Sequence, residues 1–299
     1  MGKLRLWLKA TRASFFGASL IPVLVGTALA SRSAEFQLLP MALALLVILS
    51  NHAGANLIND YYDALGSDAI NRKVTPFSGG SRVIQLGLLT RKAVLTGAVL
   101  AYGLGLGTGL GLTFFYQNPL ILLLAAAGTL LGIFYSITSV NGMARGWGEL
   151  TVGLAFGPLA VMGSFILQTG FVNLESFWAG IPVGFLIIGV LILNEFPDRE
   201  ADQKAGKRNL IVRVGYLRGV WVYLAIISLA YLAIFAGVIS GIFPVTILFS
   251  TVTIPLAVWI LLELRRYYDQ VPQIIPALAG NIGLHFITGI FLCLGLWWQ

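Results

Sequence analysis

Apolar runs long enough to cross a lipid bilayer follow one another along almost the whole chain. A transmembrane helix needs about 20 predominantly apolar residues, and runs near that length occur at 13–31, 36–58, 93–115, 119–138, 150–169, 176–195, 219–240, 242–262 and 274–298. Only 10% of the 299 residues are charged and 58% are hydrophobic, and the mean hydropathy is +0.87. A soluble domain of this size needs a polar surface that this composition cannot supply. We therefore predict an all-α, polytopic membrane protein with nine transmembrane helices.

Lys and Arg are distributed unevenly between the segments that connect these runs. If the N-terminus is cytoplasmic, the segments on the other side of the membrane contain only Arg32, and the cytoplasmic segments contain Lys3, Arg5, Lys9, Arg12, Arg72, Lys73, Arg82, Arg91, Lys92, Arg145, Arg199, Lys204, Lys207, Arg208, Arg213, Arg218, Arg265 and Arg266. The positive-inside rule then predicts a multi-pass protein of the cell membrane, with its N-terminus in the cytoplasm and its C-terminus outside. The net charge of +7 follows from these loops, so we expect no nucleic-acid partner.

The two ends of the chain add little that is specific. The basic start is followed by an apolar run with no convincing small-residue cleavage site, which predicts a retained first helix rather than a signal peptide. The single cysteine, Cys293, excludes a disulfide within one chain.

The few acidic residues are concentrated in two clusters at the ends of the second and sixth runs. The first cluster contains Asn59, Asp60, Asp63 and Asp68, and the second contains Asn194, Asp198 and Asp202. Each has Asn, then Asp four residues later, then a further Asp, and a spacing of four places side chains on one helix face. Asp68 follows Gly66 and is predicted to lie in a loop. Carboxylates beside membrane segments are costly and are mostly kept for function.

The matching clusters suggest an internal repeat. The prediction is a single domain over 1–299, with pseudo-repeats at about 13–140 and 148–265, each of four helices, and a last helix at about 274–298. Four spans return the chain to the same side of the membrane, so both clusters would face one compartment and could converge on one site.

Grouped carboxylate and carboxamide oxygens are the ligands that Mg²⁺ prefers, commonly shared with substrate phosphate oxygens. We therefore predict an Mg²⁺ site, with Mn²⁺ as an alternative ion. The candidate ligands are Asn59, Asp60, Asp63, Asp68, Asn194, Asp198 and Asp202. The alternative interpretation is that each cluster only caps a helix end in solvent at the membrane boundary. The presence of two matching clusters disfavours this alternative.

Basic residues close to both clusters are candidates for binding a diphosphate: Arg72, Lys73, Arg82, Lys204, Lys207 and Arg208. The positive-inside bias alone would also explain them. Gly79, Gly80 and Gly206 could bring backbone N–H groups to phosphate or could simply form turns. Candidate pocket residues on the same side are Asn56, Tyr135 and Ser136, whereas Glu149 and the pair Asn281 and His285 remain ambiguous between packing and function.

With these motifs the chain resembles the UbiA superfamily of intramembrane prenyltransferases, and the resemblance covers nearly the whole chain. The two Asp-rich motifs are similar to those of the superfamily. The runs Pro76–Gly87, Gly148–Pro158 and Ala205–Gly215 are similar to those of the branch that prenylates 1,4-dihydroxy-2-naphthoate in menaquinone synthesis.

This resemblance implies Mg²⁺-dependent transfer of a polyprenyl group from a polyprenyl diphosphate to an aromatic acceptor, in a cavity at the cytoplasmic ends of the helices. It implies catalytic roles for Asp63, Asp198, Asp202 and Tyr135. The expected partners are the two substrates and membrane lipid. The alternatives are another acceptor (a hydroxybenzoate, chlorophyllide, haem or a glycerol-phosphate lipid), a secondary transporter, or a phosphatase of lipid diphosphates.

Overall fold

The computed structural model describes residues 2–136 and 147–298, and within these ranges the chain is helical and has no strand. The α-helices are α1 (Lys3–Ala10), α2 (Gly17–Ala30), α3 (Leu38–Asp63), α4 (Ser67–Ile70), α5 (Arg91–Tyr116), α6 (Pro119–Ser136), α7 (Gly148–Leu154), α8 (Ala160–Thr169), α9 (Leu174–Lys204), α10 (Leu210–Val214), α11 (Tyr216–Ile239), α12 (Ile254–Tyr267) and α13 (Val271–Trp297). A 3₁₀ turn at Ala13–Phe15 precedes α2, a π-helical turn at Ala155–Leu159 joins α7 to α8, and a 3₁₀ segment at Val245–Thr253 precedes α12.

The predicted number of spans is confirmed, because nine helical segments of the described chain are long and apolar enough to cross a membrane. The largest difference from the predicted bounds is in the sixth span, where α9 continues from the expected end near residue 195 to Lys204. The helix runs through Pro197 and carries the whole second acidic cluster. The equivalence of the two four-helix halves stays a prediction.

The helix α9 is the central element of the bundle, and 72% of its most apolar stretch is buried. Two glycines allow the π-helical turn to pack directly against it. A Cβ atom on Gly157 would lie 2.5 Å from the Gly180 carbonyl oxygen, and one on Gly180 would lie 2.4 Å from Pro158 Cα. Small residues at such crossings let helix backbones approach closely, as is typical of membrane proteins.

The outer surface of the bundle is apolar. Large hydrophobic side chains such as Phe114, Phe115, Leu232 and Ile239 are exposed, which is the arrangement expected when lipid rather than water surrounds the helices.

Both acidic clusters lie at the same end of the bundle. The helix α3 ends at Asp63, and after Gly66 the chain forms the one-turn helix α4. The predicted loop position of Asp68 is therefore wrong, because Asp68 lies within α4. At the other cluster, α9 ends at Lys204, and Gly206 adopts a left-handed conformation with φ of +80°. This turn directs the chain back across the helix end.

Candidate active site

A buried lysine joins the two acidic clusters. The Lys207 Nζ atom lies 2.7 Å from an Asp63 carboxylate oxygen and 3.4 Å from one of Asp202, and the Lys207 side chain is only 5% exposed. Burial by itself lowers the pKa of the Lys207 ammonium, but the Asp63 and Asp202 carboxylates outweigh this and raise the pKa above its ordinary value. Lys207 therefore remains charged between one carboxylate of each motif.

Asp60 has a different environment from Asp63. Its carboxylate accepts hydrogen bonds from the Arg12 guanidinium and from the hydroxyl and backbone N–H of Ser81. Arg12 also donates to the Asn59 carboxamide oxygen, at 3.1 Å, while the Asn59 amide nitrogen donates to Asp63. Asp60 thus joins the N-terminal segment to the segment after α4, and it points into these contacts rather than into the cavity described below.

The segment that follows α4 covers the second cluster. Asn71 Nδ2 donates to one oxygen of Asp198 at 2.7 Å, and the Gly79 backbone N–H donates to the other oxygen at 3.0 Å. Of the two interpretations left open for Gly79, the structure shows a turn with φ of +83°, in which the Gly79 N–H donates to Asp198.

Asp68 lies in close contact with Gly80. A Cβ atom on Gly80 would lie 2.0 Å from Asp68 Oδ2, and Gly80 has a φ of +75°, so only glycine fits here without displacing the carboxylate. Among the described residues, Asp68 Oδ2 has no hydrogen-bond partner. Burial raises the pKa of the Asp68 carboxyl to about 6, although Arg12 opposes this shift. A buried, unpartnered carboxylate oxygen of this kind is suited to accept a cation.

Two glutamates hold the chain just after Lys207. Glu149 of α7 accepts the backbone N–H of Leu210 at 2.7 Å, and Glu195 of α9 accepts that of Ile211 at 3.2 Å. These are the first N–H groups of α10, where carboxylates are favourable. Asn209 caps α10 through Val212 and also donates to Asp202 at 2.8 Å. The segment 207–211 is thereby fixed against the second motif.

Residues of both acidic clusters line one large cavity. Its volume is about 570 Å³, within the usual range for small-molecule sites. Its charged end is formed by Arg12, Asn59, Asp63, Asp68, Asn194, Asp198, Asp202 and Lys207. The remaining wall includes Phe15, Asn56, Phe77, Tyr135, Phe156 and His285.

A smaller apolar cavity of about 100 Å³ adjoins it between α3, α5, α6 and α8. The two cavities share His52, Ala55, Gly132, Ala155 and Phe156. The combined space therefore leads from a charged end into an apolar region among the helices.

Some of the predicted site residues do not reach the cavity. Lys73 pairs with Glu200 at 2.6 Å on the surface, and Arg82 donates to the Asp68 backbone carbonyl. The Ser136 hydroxyl donates to the backbone carbonyls of Ala55 and Gly132. The other predicted cations, namely Arg72, Lys204 and Arg208, have exposed side chains. Among the described residues that line the cavity, Lys207 is the only one of the six predicted diphosphate-binding cations.

Arg12 is the main cation that the sequence pattern missed. It precedes the first span and has a left-handed conformation, with φ of 51°, which directs it toward the end of α3. In the sequence it belongs to the basic start and is 47 residues from Asn59. The positive-inside bias alone explains a basic residue at this position, so the sequence pattern did not identify Arg12 as a site residue.

In the described part of the chain, the carboxylates alone do not form a complete metal-binding site. Within the residues that the structure describes, no group of three or more His, Cys, Asp or Glu side chains is arranged to hold a metal ion by itself. Lys207 and Arg12 instead compensate the negative charge, so a divalent ion would bind partly through other oxygens, such as those of a phosphate.

Comparison with known proteins agrees with this architecture. The model of the UbiA prenyltransferase family matches residues 19–297. This chain belongs to the UbiA prenyltransferase family. It is accordingly a prenyltransferase and an integral, multi-pass membrane protein.

Curated relatives in this family have several names. The chain is 29% identical over 289 residues to UbiA prenyltransferase domain-containing protein 1 of Xenopus tropicalis, covering 96% of this chain and 81% of the relative. It is 28% identical to 1,4-dihydroxy-2-naphthoate octaprenyltransferase of Bacillus subtilis, covering 81% and 75%. It is 27% identical to 2-carboxy-1,4-naphthoquinone phytyltransferase of Synechocystis, covering 98% and 94%.

Solved structures support the UbiA fold. A UbiA homologue from Archaeoglobus fulgidus bound to GPP and Mg²⁺ superimposes with a TM-score of 0.65 at 18% identity, covering 96% of this chain and 99% of that one. A UbiA homologue from Aeropyrum pernix gives a TM-score of 0.69 at 15% identity, covering 93% and 97%.

Proposed function

We propose that this UbiA-family enzyme transfers a polyprenyl group from a polyprenyl diphosphate to an aromatic acceptor, with 1,4-dihydroxy-2-naphthoate as the acceptor and Mg²⁺ as the cofactor. The observation that carries the proposal is the meeting of Asp63 and Asp202 at Lys207, at the charged end of a cavity that continues into an apolar space. A diphosphate with a long hydrocarbon tail has this same division of charged and apolar parts.

The donor set around this end fits a divalent metal. Hard carboxylate and carboxamide oxygens line it, and the buried Asp68 Oδ2 has no hydrogen-bond partner among the described residues. The proposed ligands are Asp63, Asp68, Asn194, Asp198 and Asp202, with Asn59 beside them. A bound Mg²⁺ would act as a Lewis acid on the diphosphate oxygens. The A. fulgidus structure with GPP and Mg²⁺ supports the choice of ion.

The cations of the chain assist departure of the diphosphate. Lys207 and Arg12 are part of the cavity wall beside the carboxylates, where their charge stabilises negative charge that develops on the leaving group. The bond that breaks joins the terminal prenyl carbon to a diphosphate oxygen, and its electron pair leaves with that oxygen.

The aromatic wall protects the allylic cation that results. Phe15, Phe77, Tyr135 and Phe156 line the cavity, and ring faces stabilise cations while excluding water. An electron-rich carbon of the acceptor then forms the new carbon–carbon bond. If this carbon bears the carboxylate of a hydroxynaphthoate, the bond from the ring to the carboxylate then breaks. Its electron pair returns to the ring, which restores aromaticity as CO₂ leaves.

The choice of acceptor is supported by relatives named 1,4-dihydroxy-2-naphthoate octaprenyltransferase, in B. subtilis and in Haemophilus influenzae. A prenyltransferase with another acceptor is the second candidate, because similar relatives such as the human UbiA prenyltransferase domain-containing protein 1 have names that specify no acceptor.

The test is product identification with the purified, lipid-reconstituted protein. A labelled polyprenyl diphosphate is incubated with dihydroxynaphthoate, with hydroxybenzoate or with no acceptor, and products are identified by mass spectrometry. We expect a prenylated naphthalenediol with loss of CO₂, abolished by EDTA and restored by Mg²⁺. Prenyl alcohol as the only product, at equal rates with and without acceptor, would exclude the proposal in favour of diphosphate hydrolysis.

A further inference from the structure

The last transmembrane helix contributes a histidine that the chemistry above does not use. His285 of α13 is 3% exposed and lies in the wall of the large cavity. Among the described residues, neither of its ring nitrogens has a hydrogen-bond partner. Buried polar atoms usually have a partner, and an unpaired one in a native protein calls for an explanation.

The other histidine at this cavity differs in this respect. His52 of α3 has its Nδ1 atom 2.8 Å from the Ser19 hydroxyl, and its ring packs against Phe16 and Phe156. His52 is therefore anchored by the protein, whereas the ring nitrogens of His285 are available to a ligand.

The surroundings of His285 suit one class of ligand. Phe15, Phe77 and Phe286 line the same cavity. The ring centroids of Phe15 and Phe77 are 6.5 Å apart, in an edge-to-face arrangement. At Gly283, no described atom lies within 4 Å of where a Cβ would be, so the wall of α13 is open there. A flat aromatic molecule can pack against such rings.

The donor and the acceptor can occupy different sides of this space. The apolar extension of the cavity opens beside His52 and Phe156, between α3 and the π-helical turn. A prenyl chain placed there leaves the wall formed by α13 and residues 14–18 for the second substrate. This division rests on the function proposed above.

We propose that His285 binds a ring hydroxyl of the aromatic acceptor and thereby helps to select and orient it. A neutral imidazole carries an N–H on one ring nitrogen and a lone pair on the other. The unprotonated nitrogen of His285, which has no partner among the described residues, can accept a hydrogen bond from a substrate hydroxyl. His285 is then a specificity-determining residue, and it requires no change of charge during turnover.

The first part of the test separates the two substrates. In the His285→Phe variant the acceptor KM should rise about tenfold, which corresponds to the loss of one hydrogen bond that leaves its partner unsatisfied, while the donor KM stays within about twofold. The His285→Gln variant keeps polar atoms at this position and should be intermediate. Thr288→Val is the matched control, because Thr288 is buried on the same helix and bonds to Thr253 at 2.8 Å away from the cavity.

The second part identifies the hydroxyl group. The wild-type protein should prefer the hydroxylated acceptor to its mono-methyl ethers, and His285→Phe should reduce that preference for one of the two ethers. If the wild-type protein prenylates the acceptor, and His285→Phe prefers the hydroxylated acceptor to both mono-methyl ethers as strongly as the wild-type protein does, the role of His285 is excluded. Equal losses toward donor and acceptor in both variants would exclude it too, whereas a wild-type protein that prenylates no aromatic acceptor contradicts the proposed function instead.

Discussion

Two adjacent cations just after α9, Lys207 and Arg208, have opposite environments. Lys207 is 5% exposed and touches both acidic motifs, whereas the Arg208 side chain is exposed. By sequence the two residues are equivalent cations that follow Gly206. Only the direction of each side chain in the structure distinguishes their environments.

We predict that Lys207→Gln lowers donor turnover by tenfold or more and that Arg208→Gln changes it by less than twofold. The reason is that Lys207 lines the cavity beside Asp63, and a hydrogen bond from its ammonium to the donor diphosphate contributes about 1.5–3 kcal/mol. Steady-state kinetics with the donor varied measures the effect. If Lys207→Gln changes the donor kinetics as little as Arg208→Gln does, Lys207 contributes only to membrane orientation.

A second prediction at this scale concerns Gly80. Gly80→Ala should abolish most activity and weaken Mg²⁺ activation, because the new methyl group would meet Asp68 Oδ2 at 2.0 Å. The matched control is Gly206→Ala. Gly206 has a similar φ of +80°, but no described atom lies within 4 Å of its added Cβ, so it experiences only the backbone strain.

The Mg²⁺ concentration that gives half-maximal activity measures this difference. Equal activation curves for the two variants would show that backbone strain, rather than contact with Asp68, explains the requirement for glycine.

At the scale of elements, the position of Lys207 depends on how α10 is held. Glu149 and Glu195 come from two different spans and accept consecutive N–H groups of Leu210 and Ile211. Because α10 has only five residues, its own hydrogen bonds cannot keep it in place. Tertiary contacts must therefore position the 207–211 segment.

We predict that Glu149→Ala loosens this segment and raises the donor KM, whereas Glu149→Gln, which retains a carbonyl oxygen for the Leu210 N–H, is close to wild type. An unpaired buried N–H costs about 1–3 kcal/mol, so amide hydrogen exchange in 205–214 should accelerate in the alanine variant. Unchanged exchange there, or an equal effect of both substitutions, would contradict the role of Glu149 as a helix cap.

The second cluster also has an element-scale role that spacing does not indicate. From the sequence, Asp198 is predicted to be a metal ligand, with no structural contact assigned to it. In the structure its two oxygens hold Asn71 and Gly79, so it anchors the segment after α4 as well as facing the cavity. A loss of activity at Asp198 therefore combines a metal contribution with a structural one.

At the scale of the whole molecule, the distribution of charge bears on the orientation of the bundle in the membrane. We propose that the acidic end faces the cytoplasm, with the N-terminus inside and the C-terminus outside, because the Lys and Arg residues concentrate at that end. The nine described spans are consistent with termini on opposite sides. The internal repeat of four plus four helices is part of the same proposal.

We predict that a cysteine at Gln117, between α5 and α6, is labelled from outside by an impermeant maleimide, and that a cysteine at Lys204 is labelled only after permeabilisation. Replacing Cys293 by Ser provides the background without native thiols. Equal labelling of both sites from one side would overturn the orientation.

Sequence alone determined the class of fold and the existence of two acidic motifs. The reason is that membrane insertion depends on runs of about 20 apolar residues, which are local, and that an Asn-x-x-x-Asp spacing places side chains on one helix face whatever surrounds the helix. The tertiary structure decided which charges meet. Arg12 reaches Asn59 across 47 residues, Lys207 rather than Arg208 turns inward after Gly206, and His285 faces the cavity from the last helix. These outcomes depend on left-handed backbone positions and on packing between distant helices, which no local pattern specifies.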